Sequence, residues 1–232
     1  MFQQRFFLIS VQILFLSLII FYAGCESNTE PSSTSSQNFS LSLKTPVNTA
    51  KLNGDVIVID EAKILVRDLK LISSVDDDSM NVEIGPFVLS LNLSGSLNTY
   101  TFNSVTTNLY KSVKWEIHKP EDNEVPPDPE FREGESGNQR YSVIVKGTFN
   151  GASFVYKSAK TSHQKIDFPA PIEISSDQAI NITLIVDPYT WFNDGGMLLD
   201  PNDNSNENNI DNLIASSFKD VFKDFNRDGN PD

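Results

Sequence analysis

The sequence predicts a mainly β protein, an antiparallel two-sheet sandwich followed by one C-terminal amphipathic α-helix. Three observations predict it. Over residues 41–187, short runs rich in Val, Ile, Leu and Phe alternate with turn residues, the pattern of paired strands. Asn150-Gly151 stands between two such runs. Both central residues of a type I′ turn need positive φ, so this pair favours a tight hairpin. Toward the end the apolar period changes from two to about 3.6. Ile210, Leu213, Ile214, Phe218, Val221, Phe222 and Phe225 fall on one face of a helix over 208–225.

The strands follow in order. Residues 56–59 (VIVI) make a first run, and 62–71 (AKILVRDLKL) interleave Ile64, Val66 and Leu69 with charges. Residues 82–84 and 86–93 (PFVLSLNL) come next. In 109–117, Leu109, Lys111, Val113, Trp115 and Ile117 share one side, and Tyr110, Ser112, Lys114 and Glu116 the other. Lys111 is the exception on the apolar side. Residues 141–149 and 152–158 form the hairpin, and 164–168 and 179–186 are the last strands. This spacing suits an immunoglobulin/transthyretin-like sandwich. A stretch of about 145 residues is long enough to bury its own core.

Between the strands lie polar segments. Asp76-Asp77-Asp78 reads as a charged loop tip. Residues 119–139 (KPEDNEVPPDPEFREGESGNQ) read as either a mobile surface loop or a binding loop, because connections longer than about 12–15 residues tend to be one or the other. The C-terminal helix has Ser205 or Asn206 as its cap, with Glu207 and Asp211 where the helix dipole favours acids. Its apolar face is expected to pack on the sandwich.

Composition excludes several classes. The chain of 232 residues carries 18 Lys and Arg against 31 Asp and Glu, a formal net charge of −13. Such a balance opposes nucleic-acid binding, which needs cations against phosphates. One Cys and two His exclude an intrachain disulfide framework and a Cys/His zinc site.

The N-terminus has the anatomy of a targeting segment. Arg5 supplies a positive start, residues 6–22 (FFLISVQILFLSLIIFY) are almost wholly apolar, and Ala23-Gly24-Cys25 follow. This resembles the lipobox of bacterial lipoproteins. The resemblance implies that the Cys25 thiol receives a lipid, that residues 1–24 are removed, and that the acylated Cys25 holds the protein to a membrane of the cell envelope. Residues 25–40, rich in Ser, Thr and Asn, are expected to be a disordered tether. The sandwich is expected over 41–187, and a loop, helix and acidic tail over 188–232.

Two segments offer ligand chemistry. Residues 224–232 (DFNRDGNPD) alternate oxygen-bearing side chains before a glycine. They resemble the first half of an EF-hand-type calcium loop. Calcium takes six to eight oxygens, and alternating carboxylates on a tight turn can converge on one ion. The resemblance implies Asp224, Asn226, Asp228, Asn230 and Asp232 as ligands, with an acidic turn at a frayed terminus as the alternative. In the second segment, Trp191 and Phe192 are candidate sugar-stacking residues, with core packing as the alternative. Asp187, Asp194, Asp200 and Asp203 surround them. Catalytic signals are poor. No G-x-S-x-G elbow, P-loop or G-x-G-x-x-G occurs, and His118 and His163 are the only histidines. Paired carboxylates are too abundant to be diagnostic.

Residues 62–71, Gly85-Pro86-Phe87-Val88-Leu89, 109–117, Gly147-Thr148-Phe149-Asn150-Gly151 with Phe154, and Trp191-Phe192 with Asp200-Pro201 together resemble bacterial lipoproteins with a DUF4382-like β-sandwich. That family lends an anchored extracytoplasmic sandwich and no activity. The expectation is therefore a noncatalytic envelope protein with a binding or scaffolding role, partnered by an envelope protein or glycan. A carbohydrate-binding module and a glycoside hydrolase are the alternatives.

Overall fold

The computed structural model describes residues 39–46, 50–75, 77–102, 105–175, 178–218 and 220–232, apart from the Met80 side chain. Cys25 and the expected targeting segment lie outside these residues. The strands are β1 (Phe39–Lys44), β2 (Ala50–Leu52), β3 (Asp55–Ser73), β4 (Val82–Ile84), β5 (Phe87–Ser90), β6 (Asn98–Phe102) and β7 (Asn108–Ile117). There follow β8 (Val143–Phe149), β9 (Ala152–Ser158), β10 (Ser162–Ile174), β11 (Ile180–Ile185), β12 (Asn193–Asp194) and β13 (Met197–Leu198). The helix α1 (Glu207–Ser216) and strand β14 (Asp220–Lys223) complete the chain.

A small sheet runs β14-β11-β1-β6, and a large one β10-β7-β3-β8-β9 with β2, β4 and β5 also on β3. Pairing is antiparallel except between β1 and β11, which run parallel. Leu41, Ile182, Leu184 and Val221 of the small sheet face Val66, Leu69, Leu89, Val113 and Trp115 of the large one. Period two makes this a sandwich, because alternate residues of each strand turn to the shared core.

Strand β3 joins the two runs at 56–59 and 62–71 into one element. It pairs with β8 as far as Ile64↔Val143 and with β7 from Val66↔Ile117. Leu65 is the junction: its N–H donates to Ser142 O (2.9 Å), and its carbonyl accepts from His118 N–H (3.0 Å). Its side chain leaves the main core and joins Phe131 and Ile144 in a second cluster. The hairpin turn has positive φ at both Asn150 (51°) and Gly151 (83°).

Three expectations are corrected. The tether does not extend to residue 40, since Phe39 and Ser40 are buried and open β1. Phe39 stacks on Phe102 (5.9 Å between centroids), and that burial offsets the entropy of ordering it. The helix does not run to Phe225. It stops at Ser216, where the Ser216 and Ser217 hydroxyls donate back to the carbonyls of Leu213 (3.0 Å) and Ile214 (2.8 Å). Such bonds compete with helix continuation. The next residues, Asp220 to Lys223, pair with β11, so tertiary pairing overrides a helical period. Finally, of the two readings of residues 119–139, the mobile surface loop is the one corrected, since the segment is built into the fold. It carries two short 3₁₀ turns, and Phe131 is wholly buried.

Candidate functional site

A cleft of about 840 Å³ opens where β7 ends. Arg67 reaches it from β3, Glu116 from β7, and His118, Glu121, Asp122 and Glu124 from the segment that follows. Arg140 and Thr161 complete the wall. Glu116 and His118 are two residues apart on an extended chain, so they share one side. A turn over 121–124, closed by Glu124 N–H donating to Glu121 O (3.1 Å), then brings Glu124 back to the His118 ring.

His118 is 2% exposed. Its Nδ1 lies 3.2 Å from Glu116 Oε1 and its Nε2 lies 2.6 Å from Glu124 Oε2. An ionised carboxylate only accepts, so both contacts are complete when both ring nitrogens carry hydrogen. Burial pushes the Glu124 carboxyl up. The His118 ring, the Glu121 N–H and the Arg67 charge outweigh it and hold Glu124 below the usual range. Arg67 loses by desolvation, but Glu116 and Glu121 raise it further. Its Nη1 donates to Glu121 at 3.0 Å.

Two more arginines fix the turn. Arg140 Nη1 donates to Pro120 O (2.9 Å), and its Nη2 pairs with Asp122 (2.6 Å). Arg132 donates to the carbonyls of Glu124 (2.5 Å) and Asp122 (2.6 Å). The rest of the segment is pinned by Lys63, which meets Asp128 (2.9 Å) and Glu130 (2.8 Å). Lys146 bridges Glu130 (2.5 Å) and Glu61 (2.9 Å). Hydrogen bonds from Lys146 and Lys63 hold Glu130 below its ordinary value. Both ring nitrogens of His118 face carboxylate oxygens. The cleft offers a wall of carboxylates and guanidinium groups suited to hydrogen-bonding a polar partner.

The sequence-predicted residues fall elsewhere. Trp191 and Phe192 are both 0% exposed, which corrects the sugar-platform expectation. Trp191 donates its indole N–H to Ser217 Oγ (2.8 Å), and Phe192 meets Tyr156 edge-on at 5.8 Å. Large aromatics bury area first, and these two sit between α1 and the large sheet.

Asp224, Asn226, Asp228, Asn230 and Asp232 do come together in one terminal loop. Asp224 is fully buried. Its Oδ1 accepts from Asp228 N–H (3.0 Å), and its Oδ2 accepts from Gly229 N–H (3.0 Å) and the Thr183 hydroxyl (2.6 Å). Asn226 Oδ1 accepts from Asp228 N–H (2.9 Å), Asp228 Oδ1 from Asn230 N–H (2.8 Å), and Asp232 from Phe225 N–H. The donor set is all oxygen, as calcium requires, while most of these oxygens already accept from the loop's own backbone. Among the described residues, no group of three or more His, Cys, Asp or Glu is gathered for a metal.

The His118 clasp was not read from the sequence. Its legible signal was Glu116 and His118 at strand spacing; the return of Glu124 was not legible. No family model, curated protein or solved structure matches the chain.

Proposed function

We propose that this chain is a lipid-anchored protein of the bacterial cell envelope with a noncatalytic binding or scaffolding role. One observation carries the reading: the single cysteine, Cys25, directly follows Ala23-Gly24 at the end of the apolar run. Acyl chains there would hold the protein firmly, since each buried CH₂ contributes about 0.8 kcal/mol. Residues 26–38 then space the fold from the membrane. The resemblance to DUF4382-like lipoproteins agrees with this placement.

The binding face is the charged cleft at the end of β7. Its ordered walls favour a polar partner, a glycan or the surface of another envelope protein, over an apolar ligand. The engagement of both His118 nitrogens favours binding over proton transfer. Calcium at the 224–232 loop would stabilise the domain as part of the same reading. There Asp224, Asn226, Asp228, Asn230 and Asp232 would supply the oxygens.

The test is expression in bacteria fed an alkyne fatty acid, followed by fractionation. The parent chain takes up label and sediments with membranes, and Cys25→Ala does neither. Equal labelling of both would overturn the anchor. For calcium, the parent's melting temperature rises with millimolar calcium, and Asp228→Ala removes the rise. No rise in the parent removes calcium from the account.

A further inference from the structure

A second, smaller cavity of about 130 Å³ lies where the ends of β7 to β10 meet α1. Ile117, Val143 and Ile214 give it an apolar floor, and Ser158 and Ser162 a hydroxyl rim. Asp211 lines it from α1 and is 3% exposed. Its Oδ1 accepts from the Tyr156 hydroxyl at 2.7 Å. Its Oδ2 is buried and finds no hydrogen-bond donor among the described residues. Buried carboxylate oxygens are satisfied in nearly all folded proteins.

Lys160 Nζ forms a long ion pair with Oδ2 (4.0 Å) that falls short of a hydrogen bond, and it donates to Asn208 Oδ1 (3.3 Å). Burial and the Asp211 carboxylate push the Tyr156 hydroxyl far up, so Tyr156 stays a donor to Oδ1. The position facing Oδ2 therefore wants an N–H or O–H from a molecule in the cavity. The charge of Asp211 selects a cation, and the apolar floor selects a short hydrocarbon body. Water has a share of about 30 Å³ in the liquid, so the cavity exceeds one water and takes a few heavy atoms.

We propose that this cavity is a binding site for a small primary ammonium compound, with Asp211 Oδ2 accepting its N–H and Ile117, Val143 and Ile214 holding its alkyl part. The site is separate from the β7 cleft and does not rest on its function. The ammonium displaces water and leaves Lys160 at the mouth.

The test uses the full chain in detergent micelles. Ethylammonium, tetramethylammonium and sodium chlorides are titrated at matched ionic strength, with calorimetry and thermal melting as readouts. Ethylammonium gives saturable heat and a rise in melting temperature. Tetramethylammonium, which has no N–H, and sodium do not. Asp211→Asn weakens ethylammonium binding roughly tenfold or more, the scale of a lost charged hydrogen bond. Ala215→Leu fills the cavity from α1, keeps Asp211 and Tyr156, and abolishes it. Equal responses to the three salts in the parent chain, or undiminished binding in Ala215→Leu, overturn the site without bearing on the lipid anchor.

Discussion

Two polar segments cover the outer faces of the sandwich, and they are held by different chemistry. Residues 119–139 lie over the large sheet. They are fastened by one buried aromatic, Phe131, and by ion pairs from Lys63, Arg140 and Lys146. Residues 224–232 meet the small sheet through hydrogen bonds. Ser40 and Ser42 donate to Asn181 Oδ1 (2.8 and 2.9 Å), and Asn181 donates to Thr183 (3.2 Å). Thr183 then donates to Asp224, and Arg227 Nη2 reaches Ser40 (3.2 Å). The first cover combines a hydrophobic anchor with charges, and the second is a ladder of short polar side chains ending on one buried carboxylate. A polar composition therefore does not decide whether a segment is ordered. What decides it is whether each polar group finds a partner when water is removed.

The comparison can be broken at either end. Phe131→Ala has the largest expected effect, about 3–5 kcal/mol, because it empties the cluster with Leu65 and Ile144. Denaturant melts read the loss. Hydrogen exchange should rise through 119–139 while 224–232 keeps its protection. Asp224→Ala comes next, at about 2–3 kcal/mol. It leaves the Thr183 hydroxyl and the Gly229 N–H without their acceptor and takes one of two acceptors from the Asp228 N–H, and exchange should then rise in 224–232 alone. Uniform exchange changes in either variant would erase the distinction.

Lys63→Met sharpens the contrast at a smaller scale, about 1 kcal/mol, since the pairs around it are part-exposed. Molar salt shrinks the screening length to about 3 Å. It should loosen 119–139 more than 224–232 in the parent and narrow the gap between parent and Lys63→Met.

Acid gives the smallest effect, and its sign is fixed. Glu124, Asp128 and Glu130 are held below their ordinary values in the fold, Glu124 and Asp128 against burial and Glu130 chiefly by Lys146 and Lys63. As pH falls, the unfolded chain takes up their protons first. Their contribution is complete at neutral pH and declines from about pH 4, the ordinary carboxylate range, until their folded values are passed. Exchange in 119–139 measured from pH 6 downward should follow that course; protection rising on acidification would reverse it.

Much of the fold was legible because period two is a local signal. The 82–84 and 152–158 runs and the Asn150-Gly151 turn need only neighbours in sequence to be recognised. The end of α1 was not legible. Phe218, Val221 and Phe222 suit a helix face equally well, and only β11, far away in sequence, decides for a strand. The same limit hid the candidate site. Glu116 and His118 are local, but Glu124, Arg67 and Arg140 come together through the turn over 121–124 and the junction at Leu65. For Trp191 and Phe192 the choice between sugar platform and core packing was not legible, because sequence gives the area of an aromatic and not the side that covers it. The proposal for Cys25 rests on the opposite kind of signal, since a targeting signal is read along the chain before folding.

The central claim is that Cys25 is the lipid-bearing first residue of the mature protein. Intact and peptide mass spectrometry of the protein purified from bacterial membranes tests it most directly. The account predicts an N-terminal peptide beginning at Cys25 and carrying a diacylglycerol, with an acylated amino group where the host performs that step. An unmodified Cys25, either inside an uncleaved chain or behind a different N-terminus, would contradict it.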